Sequence, residues 1–136
     1  MYKLFAVWTA PSLGQEEAFE QHYTEAHLPL AASIPGLRKL VATRTSDSLG
    51  DGESALHRIT ELWFDDRAAM EAAEASPEGQ ATVKDAVEIQ ERFGATLTSV
   101  TSLIVRVREL VCSSGSPLPA RWTPGNGQRP GGALDG

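Results

Sequence analysis

The fold and its candidate site are both most evident in residues 19–30, which read FEQHYTEAHLPL. Apolar side chains recur there at offsets of four, three and four: Phe19, Tyr23, Ala26 and Leu30. This spacing is typical of an amphipathic α-helix. His22 and His27 border the apolar stripe. Because imidazole changes its charge most readily near neutral pH, we expect the chemistry of this protein to depend on this helix.

The segments on either side of this helix alternate between strand and helix patterns. Residues 2–9 are rich in aromatic and β-branched side chains and are predicted to form a strand. The helix is predicted over 15–33, with a bend at Pro29, because proline lacks an N–H and crowds the preceding turn. The other predicted elements are strands over 37–45, 56–64 and 98–110, a short helix capped by Asp65, and a helix from Ser76 to about Phe93. The order β-α-β-β-α-β predicts a ferredoxin-like α+β fold, in which a four-stranded antiparallel sheet carries helices on one face.

Composition restricts the possible partners. The chain has 136 residues and a formal charge of −6, without a cluster of Lys or Arg. Phosphate binding requires a basic patch, so nucleic acids and membranes are not expected as partners. Met1 leads directly into a strand without a signal peptide, and no apolar run approaches the ~20 residues that span a bilayer. We therefore expect a cytoplasmic protein, in which the single Cys112 forms neither a disulfide nor a thiolate metal site.

The chain is expected to contain one folded domain, over residues 1–112, and a flexible tail, over residues 113–136. Ser, Gly and Pro dominate the tail, so it cannot bury enough apolar surface to become ordered. A single four-stranded sheet with helices on one face leaves its other face bare. Exposed Val, Ile and Trp side chains would create an apolar patch on that face, so we predict a homodimer in which two sheets face each other.

Several motifs follow the opening strand in a fixed order: Phe19…His22…His27-x-Pro29-Leu30, Pro35-Gly36-Leu37, Glu61-Leu62-Trp63-Phe64 and Ser76-Pro77-Glu78-Gly79. In this order they resemble the EthD family of the dimeric α+β barrel superfamily, over residues 1–110. The resemblance implies a ferredoxin-like fold, a dimer, and a small-molecule pocket between the sheet and the first helix. Family members include a muconolactone isomerase, decarboxylase-like proteins of pigment pathways, proteins encoded beside ether-degrading oxygenases, and polyketide-pathway proteins. The resemblance therefore leaves the reaction open.

His27 is the first candidate for acid/base catalysis. At a proline bend, a freed backbone carbonyl could hold one ring nitrogen while the other nitrogen faces a substrate. His27 could also be a structural group at the edge of the core. His22 lies roughly 140° around the helix from it at ~100° per residue, so the two rings cannot reach one small ligand unless the helix is distorted. A structural role is therefore favoured for His22, with substrate binding as the alternative.

Tyr23 and Glu61 are the other candidate catalytic residues. Tyr23 neighbours His27 on the helix surface and either fills the core or orients a substrate oxygen. Glu61 lies on a strand, where it either pairs with a cation such as Arg106 or orients a ligand and transfers a proton. His57, on the same strand, is expected to be exposed. The candidate substrate-binding residues are His22, Trp8, Phe19, Trp63 and Arg106.

Motifs for nucleotide cofactors, zinc and the hydrolase nucleophile elbow are all missing from the sequence. We therefore expect chemistry without a cofactor or metal. The favoured hypothesis is a small enzyme (an isomerase, cyclase or decarboxylase) that acts on an aromatic, polyketide or lactone-like molecule. In it, His27 moves a proton, Tyr23 or Glu61 holds an oxygen, and aromatic side chains line an apolar cavity. The alternative is a non-catalytic accessory protein that binds a small molecule for a neighbouring oxygenase or biosynthetic pathway.

Overall fold

The computed structural model describes residues 1–50 and 52–104. The predicted tail over 113–136 and its boundary at residue 112 lie outside these residues, as do Arg106 and Cys112.

The described residues form one antiparallel sheet with helices on one face. The strands are β1 (Tyr2–Thr9), β2 (Lys39–Arg44), β3 (Leu56–Phe64) and β4 (Leu97–Leu103), in the order β2-β3-β1-β4. The helical segments are α1 (Glu16–His22), a π-helical turn (Tyr23–His27), α2 (Leu28–Ala32), α3 (Arg67–Ala75) and α4 (Pro77–Phe93). This order and topology confirm the predicted ferredoxin-like α+β fold. None of the helices within the described ranges has the length and apolar composition needed to span a membrane.

The two later helices begin at side-chain caps, as their sequences predict, although one cap lies a residue later than expected. The Asp66 carboxylate, rather than that of Asp65, accepts a hydrogen bond from the N–H of Ala69 at 2.8 Å. The Ser76 hydroxyl accepts one from the N–H of Gly79 at 3.0 Å. Each cap satisfies an N–H that the first turn of a helix leaves without a partner. These caps fix where α3 and α4 begin.

Alternation along the strands separates a helix-covered face from an open face. The covered face carries Leu4, Ala6 and Trp8 of β1 and Thr60, Leu62 and Phe64 of β3. The open face carries Lys3, Phe5 and Val7 of β1 and Ile59, Glu61 and Trp63 of β3. Val100 of β4 pairs with Phe5 on the open face and is 50% exposed. The described residues thus leave an apolar surface on this side of the sheet.

A β-bulge interrupts the pairing of β1 with β3 near the end of both strands. Trp8 pairs with Arg58, but Thr9 pairs with Leu56, so His57 is the extra residue. A bulge places two consecutive side chains on nearly the same side of a strand. His57 and Arg58 consequently both reach Glu20 of α1. The prediction that His57 is exposed is wrong, since only 8% of its surface is accessible.

Candidate active site

The site begins with the π-helical turn between α1 and α2. The N–H of Leu28 donates to the carbonyl of Tyr23, five residues earlier, immediately before Pro29. Hydrogen bonds of this span bring residues five apart onto one face, unlike those of an α-helix. The helix is therefore distorted where the proline bend was expected. As a result, His22 and His27 reach the same neighbour.

That neighbour is Asp85 of α4, which lies between the two imidazoles. Nε2–H of His22 donates to Oδ1 of Asp85 at 2.8 Å, and Nδ1–H of His27 donates to Oδ2 at 2.7 Å. We call His22, His27 and Asp85 the cavity cluster. A carboxylate can only accept these bonds, so Nδ1 of His27 carries the proton and Nε2 carries the lone pair. Nε2 has no hydrogen-bond partner among the described residues and is not fully enclosed by them.

The surroundings of His27 favour its neutral form. Burial is the largest influence and lowers the pKa of His27 below its ordinary value of 6.5. Asp85 opposes this shift through its hydrogen bond and charge, while His22 adds to it through charge repulsion. The net effect keeps the pKa of His27 low. At pH 7 the ring is neutral and its Nε2 is able to accept a proton.

His27 lines a cavity of about 130 Å³ between the sheet and the helices. Most of the wall is apolar, with Leu4, Leu62 and Phe64 on the sheet side and Ala31, Val83 and Ala86 on the helix side. Its polar groups are His27, Tyr23, Thr60, Thr82, Ser99 and Glu74. A closed apolar cavity of about 150 Å³ can hold one benzene ring. A cavity of this size therefore suits a ligand with a single ring.

Tyr23 presents a hydroxyl group beside His27. Its ring stacks on the His27 ring, with centroids 5.3 Å apart, and its hydroxyl is hydrogen-bonded to that of Thr60. Burial is the largest influence on Tyr23 and raises its pKa above 10.0, although Thr60 and Arg58 act in the opposite direction. The phenol therefore remains protonated at neutral pH. One of the two O–H groups is used in the bond between Tyr23 and Thr60, so the other can donate to an oxygen atom in the cavity.

A second buried cluster lies on the other side of the Phe19 ring. Glu20 accepts hydrogen bonds from Nε2 of His57 at 2.8 Å, from Nε of Arg58 at 3.1 Å, and from Nη2 of Arg58. Burial raises the pKa of Glu20, but the hydrogen bonds and charges of Arg58 and His57 outweigh it, so the net pKa is lowered. We call Glu20, His57 and Arg58 the closed cluster. No residue of the closed cluster lines the cavity.

Trp8 and Phe19 stand behind the cavity rather than in its wall. Both are fully buried, and neither lines the cavity, contrary to the expectation from the sequence. The Trp8 ring meets the His27 ring edge-on at 5.8 Å, and Phe19 stacks on Tyr23 at 5.6 Å. Their contacts fix the orientations of His27 and Tyr23. His22 is likewise outside the cavity, because its ring is directed to Asp85.

Glu61 and Trp63 lie on the open face of the sheet, away from His27. Nζ of Lys3 is 3.0 Å from Oε1 of Glu61 and 3.7 Å from the centre of the Trp63 ring. Alternation along β3 directs both side chains away from the helices. The structure corrects the expectation that they share a cavity with His27. The expected pairing of Glu61 with Arg106 lies outside the described residues.

Comparison with known proteins identifies the family. The family model of the EthD domain matches residues 13–89. This chain belongs to the EthD family. The match covers the π-helical turn, β2, β3, α3 and the part of α4 that carries Asp85. The resemblance based on sequence motifs is thus confirmed.

Two relatives and a distant structural neighbour are similar to this chain. The chain is 33% identical over 85 residues to an uncharacterised 11.0 kDa protein of the thcB-thcC intergenic region of Rhodococcus erythropolis, a match covering 62% of this chain and 80% of that protein. It is also 33% identical to a crystallised EthD family protein of Bacillus halodurans, with a TM-score of 0.63 and coverage of 76% and 99%. SnoaB, a cofactor-independent oxygenase of Streptomyces nogalater, is 14% identical, with a TM-score of 0.56 and coverage of 78% and 95%. At that identity, SnoaB supports only a shared fold.

Sequence reasoning missed Asp85, although the sequence of this EthD protein contains a signal for it. Buried positions of α4 include Ala86, Ile89 and Phe93, which follow helical spacing. Asp85 precedes Ile89 by one turn and so places a carboxylate beside this apolar stripe. A buried carboxylate requires a partner. Both histidines are distant in sequence, so the partner could not be named from local pattern.

Within residues 1–50 and 52–104, no group of three or more His, Cys, Asp or Glu side chains is arranged to hold a metal ion. The chemistry that these residues offer is proton transfer by His27 beside a hydrogen-bonded pair of hydroxyl groups.

Proposed function

We propose that this EthD protein is a small cofactor-independent enzyme that moves a proton on an aromatic, polyketide or lactone-like molecule in the cavity. One observation carries the proposal: Nδ1 of His27 is anchored on Asp85, while Nε2 is unpartnered at a largely apolar cavity. A general base requires a fixed tautomer, a neutral ring and access to the substrate. His27 has all three properties.

The mechanism follows from this geometry. Nε2 of His27 takes a proton from a carbon next to a substrate carbonyl, and the electron pair of the broken C–H bond moves to the carbonyl oxygen. In the hydrogen-bonded pair of Tyr23 and Thr60, the hydroxyl whose O–H is free donates to that oxygen as it gains charge. Asp85 stabilises the imidazolium, as a carboxylate does in other histidine-based sites. Return of the proton to a different carbon completes an isomerisation. An enolate held in the same place could instead attack a second carbonyl carbon of the substrate and close a ring, with the proton on Nε2 passing to the new alkoxide. The same enolate would form if a carboxylate on the carbon next to the carbonyl left as CO₂ and the electron pair of the broken C–C bond moved to the carbonyl oxygen.

The cavity also indicates the kind of substrate. Its apolar walls and volume of about 130 Å³ favour a compact molecule with few polar groups. A larger polyketide would have to leave part of its length outside or displace side chains. SnoaB, which has the same fold, is described as a cofactor-independent oxygenase. That description supports chemistry in this fold without a bound cofactor.

A neutral, single-ring lactone tests the proposal. The isomerisation of α-angelica lactone moves one proton from C3 to C5 and requires no other reactant. We expect the protein to accelerate this reaction and, in D₂O, to deliver deuterium to C5. His27→Gln keeps polarity but cannot accept the proton, so kcat/KM should fall by about 10²–10⁴-fold. Full activity in a folded His27→Gln protein would remove the acid/base assignment.

The second candidate function is that of an accessory protein that binds a small molecule without transforming it. The position of the Rhodococcus relative between two other genes favours a role that serves neighbouring gene products. In that case the wild-type protein would bind single-ring ligands without turnover, and His27→Gln would only weaken binding. Calorimetry with the lactone, beside the isomerisation assay, separates the two roles.

The functional unit is proposed to be a homodimer formed through the open face of the sheet. Support comes from the exposed Val100, from its neighbour Phe5, and from membership of a family in the dimeric α+β barrel superfamily. Val100→Glu would place a charge on that face, on the edge strand β4, and should dissociate the dimer. Light scattering at micromolar concentration measures the mass. A wild-type mass equal to one chain would refute the dimer.

A further inference from the structure

We infer that His22 is a positioning residue for His27, acting through the Asp85 carboxylate that the two imidazoles share. This inference deepens the proposed function and rests on it for the role of His27 as the base. His22 itself does not line the cavity. Its influence must therefore pass through Asp85.

The two hydrogen bonds fix the carboxylate group. Oδ1 of Asp85 is held by His22 at 2.8 Å and Oδ2 by His27 at 2.7 Å. With one bond on each oxygen, the carboxylate cannot rotate without losing a partner. The His22 ring is itself packed against Phe93, with centroids 5.8 Å apart. His22 thereby holds Oδ2 where it receives Nδ1–H of His27, which fixes the tautomer that leaves Nε2 free.

The same arrangement makes two imidazoles depend on one negative charge. The Asp85 carboxylate that would stabilise a positive charge on His22 is the same one that would stabilise a protonated His27. The pKa of His27 is lowered first by burial and then further by the charge of His22, while Asp85 raises it. His22 therefore favours the neutral form of His27, which is the form that can act as a base.

Few other ionisable groups face His27 among the described residues. Tyr23 of the π-helical turn stacks on its ring, and Glu74 of α3 lines the same cavity. The contact from β1 is the uncharged Trp8 ring. The cavity cluster is therefore the main electrostatic influence on His27 apart from burial. A change at His22 should be visible in the titration of His27.

NMR titration of the His27 ring tests the inference in the intact chain without a substrate. In His22→Gln, the amide can still donate to Oδ1 but cannot become charged, so the midpoint of the His27 titration should move to higher pH. His22→Ala should move it in the same direction, with an additional loss of melting temperature. Asp85→Asn should move it to lower pH, because the carboxylate raises the pKa of His27. Gln21→Ala, an exposed neighbour on α1, should leave the midpoint at its wild-type value.

An unchanged His27 midpoint in folded His22→Gln would overturn the inference, because a purely structural hydrogen bond affects stability without affecting the titration. If His22→Ala does not fold, His22→Gln alone decides the outcome. The result is independent of the proposed function. If the protein showed no turnover, the His27 midpoint could still move up in His22→Gln and down in Asp85→Asn, which would support the inference. If the protein were active but the midpoint did not move in His22→Gln, only the role of His22 would be refuted.

Discussion

The cavity cluster and the closed cluster have similar components but different properties. In each, a carboxylate accepts hydrogen bonds from two side chains that are far from it in the sequence. In the closed cluster, Glu20 meets the permanent cation of Arg58, so its charge is balanced locally. In the cavity cluster, the partners of Asp85 among the described residues are imidazoles, and within the same residues one nitrogen of His27 has no partner at the cavity. The comparison teaches that a buried ionisable network becomes a candidate site only when one of its atoms remains available to a ligand.

Exchanging the buried histidines for glutamine one at a time gives the largest expected difference between the clusters. His27→Gln should lower kcat/KM for the lactone by about 10²–10⁴-fold, because the base is lost. His57→Gln should leave kcat/KM near the wild-type value, because its ring does not line the cavity. Equal losses in the two folded variants would show that the distinction between the clusters is wrong.

Removing the carboxylate of the closed cluster should mainly affect stability. Glu20→Ala leaves Arg58 largely buried and without its partner, which typically costs about 3–5 kcal/mol in the free energy of unfolding. Glu16→Ala is the matched control on the same helix, since its pair with Arg44 is exposed and should contribute about 1 kcal/mol or less. Urea unfolding measures both. Similar losses in the two variants would contradict the structural role of the closed cluster.

The two clusters should also lose stability in different pH ranges. Burial lowers the pKa of His27 below 6.5 in the folded chain, whereas the unfolded chain keeps the ordinary pKa. At a pH between these two pKa values, the unfolded chain binds a proton that the folded chain does not. The free energy of unfolding should therefore fall as the pH drops below about 6.5, and His27→Gln should remove this dependence. The net lowering of the Glu20 pKa from 4.5 gives a second loss at more acidic pH, which Glu20→Gln should reduce. Unfolding curves from about pH 3 to 8 separate the two ranges. If His27→Gln leaves the upper range unchanged, His27 is not buried in its neutral form.

The smallest expected effect concerns the hydroxyl that lies between the clusters. Tyr23→Phe keeps the stacked ring but leaves the Thr60 hydroxyl without its partner, at a cost of about 1–2 kcal/mol. Tyr2→Phe removes an exposed hydrogen bond to Thr101 and should cost less than about 0.5 kcal/mol. Thermal unfolding compares the two variants. A Tyr23→Phe protein as stable as Tyr2→Phe would mean that the Thr60 bond contributes little.

Local pattern predicted the fold well, because each element carries its own periodicity or cap. The first strand was predicted over 2–9 and is Tyr2–Thr9, and the third was predicted over 56–64 and is Leu56–Phe64. The second was predicted over 37–45 and is Lys39–Arg44, so the predicted strand began two residues too early and ended one residue too late. β4 begins one residue earlier than predicted and is described to Leu103. Such terminal residues depend on sheet pairing, which propensity alone does not determine.

The candidate site was predicted less completely, because its contacts are long-range. Tyr23 and His27 share one helix, so their proximity could be inferred from spacing. Asp85 reaches His27 across 58 residues of chain, and no local pattern reports such a contact. The strand face of Glu61 also required knowledge of which side the helices cover. The β-bulge at His57 arises from pairing between two strands and likewise leaves no local signature.

The π-helical turn has a consequence for how this segment tolerates changes in length. Relative to a regular α-helix, a turn closed by a five-residue hydrogen bond contains one additional residue. Deleting one residue between His22 and His27 would leave them four residues apart in a regular α-helix, which places such a pair on one face. A relative with that deletion could therefore hold both rings on one carboxylate without the π-helical turn. A relative that keeps the spacing of five but forms a regular helix would hold its two rings roughly 140° apart at ~100° per residue. The histidine spacing and the π-helical turn should thus vary together among relatives that share this arrangement.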